Sequence, residues 1–116
     1  MDKKTRIASH VIAGLLTLAF LGSGATKLMG MEPMPEQFRG WGYPIWFMYL
    51  TGLIEVGCAA LVAIPKTRLL GGLGLFFTMI GAIGTHLVFA EFGALVAPGV
   101  LLALSTTVLW LEQRGR

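Results

Sequence analysis

Long runs without charged side chains dominate the hydrophobic pattern of this chain. Four stretches contain no Asp, Glu, Lys or Arg apart from a single Glu55, and they cover residues 7–26, 40–65, 69–90 and 92–111. A helix rises about 1.5 Å per residue and the apolar layer of a bilayer is roughly 30 Å thick, so each stretch is long enough to cross a membrane. The pattern therefore predicts one membrane domain over residues 1–116, with spans at about 5–28, 45–64, 68–90 and 93–112.

The composition excludes an ordinary soluble domain, because 55% of the residues are hydrophobic, only 13% are charged and the mean hydropathy is +0.75. Backbone amides in lipid must be hydrogen-bonded within the protein, and a β-barrel would show short alternating segments instead of continuous apolar runs. We therefore expect an all-α, transmembrane four-helix bundle with a short interfacial segment after the first helix. The start, MDKKTR followed by an apolar run, also fits a cleavable signal peptide, although the run is longer than most signal cores.

The positions of the cations explain the net charge of +3 better than a nucleic-acid or acidic partner does. Most lie before the first span, between the second and third spans, or at the chain end, and these are Lys3, Lys4, Arg6, Lys66, Arg68, Arg114 and Arg116. By the positive-inside rule these places are cytoplasmic, which leaves Lys27 and Arg39 on the outer side. Both termini should then face the cytoplasm, and the expected partner is the lipid bilayer and no nucleic acid.

The connection GMEPMPEQFRGWGYP, between the first two spans, is the only sizeable one. Pro35 suits the first position of a helix and Glu36 its first turn, which predicts a short interfacial helix at about residues 35–40; an irregular loop with an aromatic anchor is the alternative. We predict that Trp41, Tyr43 and Trp46 anchor this region at the level of the lipid headgroups.

Small residues form a stripe along the third span, at Gly71, Gly74, Thr78, Gly81 and Thr85. Faces of this kind let helix backbones approach closely in lipid. We therefore predict that Gly71, Gly74 and Gly81 serve helix packing and not a ligand channel.

Glu55 is the residue that most needs an explanation, because an ionisable group inside a membrane costs at least a few kcal/mol and tends to face the protein interior. Its helical neighbours Thr51, Gly52, Cys58 and Ala59 form a small, mildly polar face, so the carboxyl should point inward.

Two further ionisable residues lie at a similar depth in the predicted bundle. Lys27 stands near the outer end of the first span and His86 about one turn below the outer end of the third. Side chains tilt toward the N-terminus of their helix, so Glu55 leans outward while Lys27 and His86 lean inward. The three groups should converge in the outer half of the bundle.

The expected ligand-binding or proton-handling set is therefore Glu55, His86, Lys27, Thr51 and Thr85. The three ionisable residues each have a structural alternative: Lys27 can snorkel to the headgroups, His86 can bond a backbone carbonyl, and Glu55 can be a neutral, hydrogen-bonded core residue. One cysteine and two distant histidines give no metal-site pattern, and no residue set indicates a catalytic nucleophile or a phosphate loop.

Three segments together resemble the DoxX-like family of small four-helix membrane proteins. They are GSGATKLMG closing the first helix, YLTGLIEVGCAALVAIPKTRLLGGLGL across the second and third, and GAIGTHL later in the third. The resemblance implies an integral bundle of the cytoplasmic membrane of a prokaryote. The family takes its name from a subunit of a thiosulfate:quinone oxidoreductase, but most members have no assigned reaction, so the catalytic residues stay unknown.

Three functions compete at this point. The first is a membrane subunit of a redox system that binds a quinone, the one cofactor considered, or a small apolar substrate in an outer-half pocket. The second is a non-catalytic anchor or assembly partner in which Lys27 and Glu55 lock helices together. The third is a small proton-coupled transporter. This hypothesis is the weakest, because the first helix has no acidic residue. A homo-oligomer or a soluble redox partner is considered as a further partner, and the sequence identifies neither.

Overall fold

The structure, a computed structural model, describes residues 2–114, and this part of the chain contains helices and no strand. Met1 lies outside it, as does Arg116, one of the cations used to predict the orientation. The helices are α1 (Lys3–Leu28), α2 (Met34–Gly40), α3 (Ile45–Ala63), α4 (Arg68–Val88) and α5 (Val96–Arg114), with short 3-10 turns at Pro65–Thr67 and Phe92–Leu95. α1, α3, α4 and α5 are long and apolar enough to cross a membrane. The predicted all-α four-helix bundle with a short segment after the first helix is confirmed.

Local sequence signals explain where the helices begin and end. Asp2 caps α1, because its Oδ1 accepts a hydrogen bond of 2.7 Å from the amide of Thr5. Pro44 precedes the first residue of α3, and Pro65 ends that helix and starts the tight turn into α4. The connection between α1 and α3 is helical over Met34–Gly40, so the helical alternative for this segment holds.

The four long helices form a ring in the order α1, α3, α4, α5. α1 packs against α3 and α5, and α4 packs against the same two helices, so α1 and α4 lie on opposite corners. The start of α1, the end of α5 and the Pro65–Thr67 turn lie at one end of the bundle, here called the terminal end, while α2 and the connection from α4 to α5 lie at the other, the α2 end. The core between the helices consists of Ala13, Leu16, Phe20, Ala59, Val62, Leu75, Met79 and Val108.

Large apolar side chains also cover the outside of the bundle. Leu18, Leu53, Phe77 and Val100, one from each long helix, are all more than half exposed. In water such a surface would be costly, whereas in a bilayer these side chains contact acyl chains. Apolar residues therefore face both the core and the lipid, and only the polar residues require specific partners.

α1 and α3 cross at two glycines. A Cβ at Gly24 would lie 2.7 Å from the carbonyl oxygen of Gly52, and a Cβ at Gly52 would lie 2.8 Å from the carbonyl oxygen of Gly24. Neither position can hold a larger residue without moving the other helix. This close approach places the last turns of α1 directly against the middle of α3.

Gly71 makes the corresponding contact between α4 and α3, and it provides the first mutational prediction. A Cβ there would lie 2.7 Å from both the Cys58 carbonyl oxygen and the Val62 amide nitrogen. We expect Gly71→Ala to lower the free energy of unfolding by about 1–3 kcal/mol, because backbone atoms must move apart. Gly57→Ala is the control, since nothing lies within 4 Å of its Cβ position and alanine has the higher helix propensity. Thermal unfolding in mild detergent checks this, and equal melting temperatures for the two variants would refute it.

Candidate functional site

A cavity of about 650 Å³ occupies the α2 end of the bundle, and all five helices contribute to its wall. Much of the wall is apolar, formed by Phe38, Phe47, Ile54, Met79, Leu101 and their neighbours. Polar side chains stand in two groups on this wall. One is deep and belongs to α1 and α3, and the other lies toward the α2 end.

The deep group consists of Lys27, Glu55 and Ser23. The Lys27 Nζ lies 2.8 Å from Glu55 Oε1 and donates a second hydrogen bond of 2.8 Å to the Ser23 hydroxyl. Ser23 in turn donates to the two oxygens of Glu55 at 3.3 and 3.2 Å. Glu55 is 2% exposed and Lys27 12%, so this is a buried ion pair bridged by a serine. The glycine crossing explains it, because Ser23 and Lys27 flank Gly24 while Glu55 is one turn after Gly52.

The deep group has one donor to spare. A lysine ammonium carries three N–H groups, and Ser23 and Glu55 accept two of them. The hydrogen bonds of Lys27 within residues 2–114 end there, and its side chain borders the cavity. A ligand atom that accepts a hydrogen bond therefore has a charged donor available at the cavity wall.

The second group ties Trp41 and Tyr43, which follow α2, to α4 and to Glu91 in the loop after α4. Trp41 Nε1 donates to Glu91 Oε1 at 3.0 Å, and His86 Nδ1 lies 2.9 Å from the same oxygen. Thr85 donates to the Gly81 carbonyl, so its hydroxyl oxygen accepts the 2.8 Å hydrogen bond from the hydroxyl of Tyr43. These bonds lie at the α2 end of the cavity.

Glu91 gives the second prediction, which concerns pH. Hydrogen bonds from His86, first, and from Trp41 hold the pKa of the exposed Glu91 carboxyl below its ordinary value. A lowered folded-state pKa stabilises the fold above the ordinary glutamate value of about 4.3, and this contribution is lost as the pH falls through the lowered value. We expect the melting temperature of Glu91→Gln to depend less on pH than that of the wild type in the range below the ordinary glutamate pKa. Glu36→Gln, at an exposed position on α2, is the control, and unchanged profiles for both variants would contradict the prediction.

The structure brings all five predicted ligand-binding or proton-handling residues to one cavity, but it pairs His86 differently from the prediction. Lys27 contacts Glu55, as the depth argument predicts, whereas His86 bonds Glu91 and not Glu55. His86 stands close enough to the end of α4 to reach the loop that follows. Thr51 and Thr85 both line the cavity, and the Thr51 hydroxyl donates to the carbonyl of Phe47.

Some of the predicted packing and anchor residues lie where the prediction places them, and others line the cavity. Gly71 and Gly74 contact α3, where a Cβ at Gly74 would collide with the Cys58 sulfur. Gly81 does not pack, because nothing lies within 4 Å of its Cβ position, and it borders the cavity instead. Trp46 is 64% exposed, as a residue facing headgroups would be. Trp41 and Tyr43 are only partly exposed, and both line the cavity.

A second serine-bridged ion pair, at the terminal end, was not predicted. Arg68 and Glu112 are each 4% exposed, and Ser9 is fully buried between them. Ser9 donates to Glu112 Oε2 at 2.6 Å and accepts from Arg68 Nη1 at 3.3 Å, while the ion pair itself spans 3.9 Å. Arg68 was expected to face the cytoplasmic surface, and instead it lies within the bundle.

Arg68 also completes the end of α3. Its Nε donates to the carbonyl of Val62 at 2.8 Å and its Nη2 to that of Ala63 at 3.4 Å, which satisfies carbonyls that the helix leaves unpaired. Its Nη1 lies 3.0 Å from His10 Nδ1, and because arginine only donates, that ring nitrogen accepts. The signal available in the sequence was Ser9, which lies one turn before Ala13 on the buried face of α1.

Groups of three or more His, Cys, Asp or Glu side chains that could hold a metal ion do not occur within residues 2–114.

Comparisons with known proteins agree with the fold. The model of the DoxX-like family matches residues 11–108. The uncharacterized protein YdgD of Bacillus subtilis (strain 168) is 29% identical over 98 residues, which cover 81% of this chain and 86% of that protein. No solved structure matches the chain significantly. The family match covers most of the chain and includes the Lys27–Glu55 pair, so the protein belongs to the DoxX-like family of membrane proteins.

Proposed function

We propose that this protein binds a quinone, or another small and largely apolar molecule with a hydrogen-bond acceptor, as a subunit of a membrane redox system. The observation that carries the proposal is the cavity of about 650 Å³ with the buried Lys27–Glu55 pair in its wall. Ligand pockets usually measure about 300–1,000 Å³ and combine apolar walls with a few fixed polar groups. This cavity has that size and that composition.

The side chains of the cavity wall suit both the binding of a quinone and the proton uptake that accompanies its reduction. The spare N–H of Lys27 would donate to a quinone carbonyl, and the rings of Phe38, Trp41 and Phe47 would contact its ring face. Reduction of a quinone takes up protons as well as electrons. Glu55 and His86 are the ionisable cavity groups that would exchange those protons. The electrons would come from a redox partner protein, because the chain has no redox motif of its own.

Cavity filling tests the proposal without touching the ion pair. Ala97 and Ala103 are both exposed alanines of α5, but only Ala97 lines the cavity. We expect Ala97→Phe to weaken binding of decyl-ubiquinone to the purified protein by about tenfold or more, since the added ring occupies ligand volume. Ala103→Phe should bind like the wild type. Binding is measured by quenching of tryptophan fluorescence in detergent micelles, and equal affinity of the two variants would refute the site.

The polar part of the site has its own test. Glu55→Gln keeps the size of the side chain but removes its charge and its capacity to take up a proton. We expect weaker quinone binding in this variant. If the affinity stays as in the wild type, Glu55 has no part in the site.

We further propose that the protein resides in the cytoplasmic membrane of a prokaryote with both termini in the cytoplasm. The exposed cations Lys3, Lys4, Arg6 and Lys66 all lie at the terminal end, which supports this orientation even though Arg68 is buried. In a Cys58→Ser background, Lys4→Cys should resist a membrane-impermeant thiol reagent in intact cells and Glu36→Cys should react. The opposite labelling pattern would reverse the proposed orientation.

A further inference from the structure

The contact between α3 and α4 changes along its length. In the half nearer the terminal end the two helices touch closely, with Gly71 against the backbone of Cys58 and Val62 and Gly74 against the Cys58 sulfur. Gly81 lies ten residues further along α4, about 15 Å away along the helix axis. Nothing lies within 4 Å of its Cβ position. α4 therefore touches α3 closely at Gly71 and Gly74, whereas the Cβ position of Gly81 has no neighbour.

Residues near the level of Gly81 both line the cavity and are exposed. Ile54 on α3 and Phe77 and Gly81 on α4 line the cavity. The same residues are also exposed, Ile54 to 41% and Phe77 to 66%. Such residues mark the edge of an opening that joins the cavity to the surroundings of the bundle.

The position of this opening puts it within the membrane. Gly81 and Phe77 precede the end of α4 by seven and eleven residues, which corresponds to depths of about 10 and 16 Å. The hydrogen bonds Trp41–Glu91, His86–Glu91 and Tyr43–Thr85 lie at the α2 end of the cavity. The side opening leads to acyl chains.

We propose that the gap between α3 and α4, edged by Ile54, Phe77 and Gly81, is a lateral portal, and that the ligand is a membrane-dissolved amphiphile whose apolar tail lies in it. The polar head then sits beside Lys27 and Glu55 while the tail passes between the helices into the lipid. This inference rests on the proposed function. It restricts the ligand class further, because a tail-less or water-soluble molecule gains nothing from the portal.

Blocking the portal separates this inference from the binding site itself. Gly81→Phe places a ring in the gap, and Gly84→Phe is the matched control, since Gly84 is also exposed with nothing near its Cβ position but does not line the cavity. Ile54→Trp blocks the same gap from α3 and serves if Gly81→Phe does not fold. The probes are decyl-ubiquinone and its tail-less benzoquinone headgroup, with the proteins held in lipid nanodiscs.

We expect Gly81→Phe and Ile54→Trp to weaken decyl-ubiquinone binding by at least about tenfold, while the affinity for the tail-less headgroup changes little. The Gly84→Phe protein should bind both probes like the wild type. Unchanged decyl-ubiquinone binding in both blocked variants would overturn the portal and leave the proposed function intact. Equal weakening of both probes would also overturn it, because the added ring would then act on the headgroup site. A wild type that binds neither probe would refute the proposed function and the portal with it.

Discussion

Replacing Lys27 with Met is expected to lower the free energy of unfolding by about 3–5 kcal/mol, because the Glu55 carboxylate would remain buried without its cation. Glu55 is 2% exposed and its partners are Lys27 and Ser23, so water cannot easily replace the lost ammonium. A methionine matches the length of the lysine stem, which leaves the packing largely intact. Unfolding in mild detergent, followed by tryptophan fluorescence, measures the effect.

Two further variants decide whether charge is the cause. Lys27→Met combined with Glu55→Leu removes both charges, and we expect it to recover most of the stability, since paired charges can be replaced by apolar groups at little cost. Arg39→Met removes an exposed cation at the same end of the bundle and should change stability by no more than about 0.5 kcal/mol. If Lys27→Met is as stable as Arg39→Met, the pair contributes nothing to the fold. If the charge-free double variant is stable and still binds quinone, the pair is a structural lock, as in the assembly-partner hypothesis.

The hydrophobic pattern alone predicts the four long helices, because lipid allows a chain this apolar few other structures. It also predicts the Lys27–Glu55 contact. Depth along a helix follows from the rise per residue, and the small face of α3 gives the direction of the carboxyl. These two quantities can be read from the sequence of each helix separately.

What the sequence does not give is which glycines another helix covers. Gly71 and Gly81 belong to the same small-residue stripe, yet one is packed against α3 and the other borders a cavity. The difference depends on what faces each glycine from the other helices, and no pattern within α4 records that. The pairing of His86 with Glu91 was missed for a related reason, since it depends on the path of a loop.

The position of Arg68 also differs from the prediction. Charged residues at the ends of spans usually extend to the headgroups, which predicts Arg68 at the membrane surface. Two features keep it inside the bundle: the open carbonyls at the end of α3, and the carboxylate of Glu112 beside Ser9. Both depend on contacts between helices far apart in the sequence.

Arg68→Met is accordingly expected to destabilise the protein by about 3 kcal/mol, although Arg68 stands at the start of a span. The change removes the charge-assisted hydrogen bonds to the Val62 and Ala63 carbonyls, and it also removes the ion pair with Glu112. Lys66→Met, an exposed cation in the adjoining turn, is the matched control and should be nearly neutral. Arg68→Lys should restore less than half of the loss, because a single ammonium cannot reach the end of α3 and Ser9 together as the forked guanidinium does. Equal melting temperatures for Arg68→Met and Lys66→Met would mean that Arg68 gains nothing from its burial, and full rescue by Arg68→Lys would reduce its role to that of a point charge.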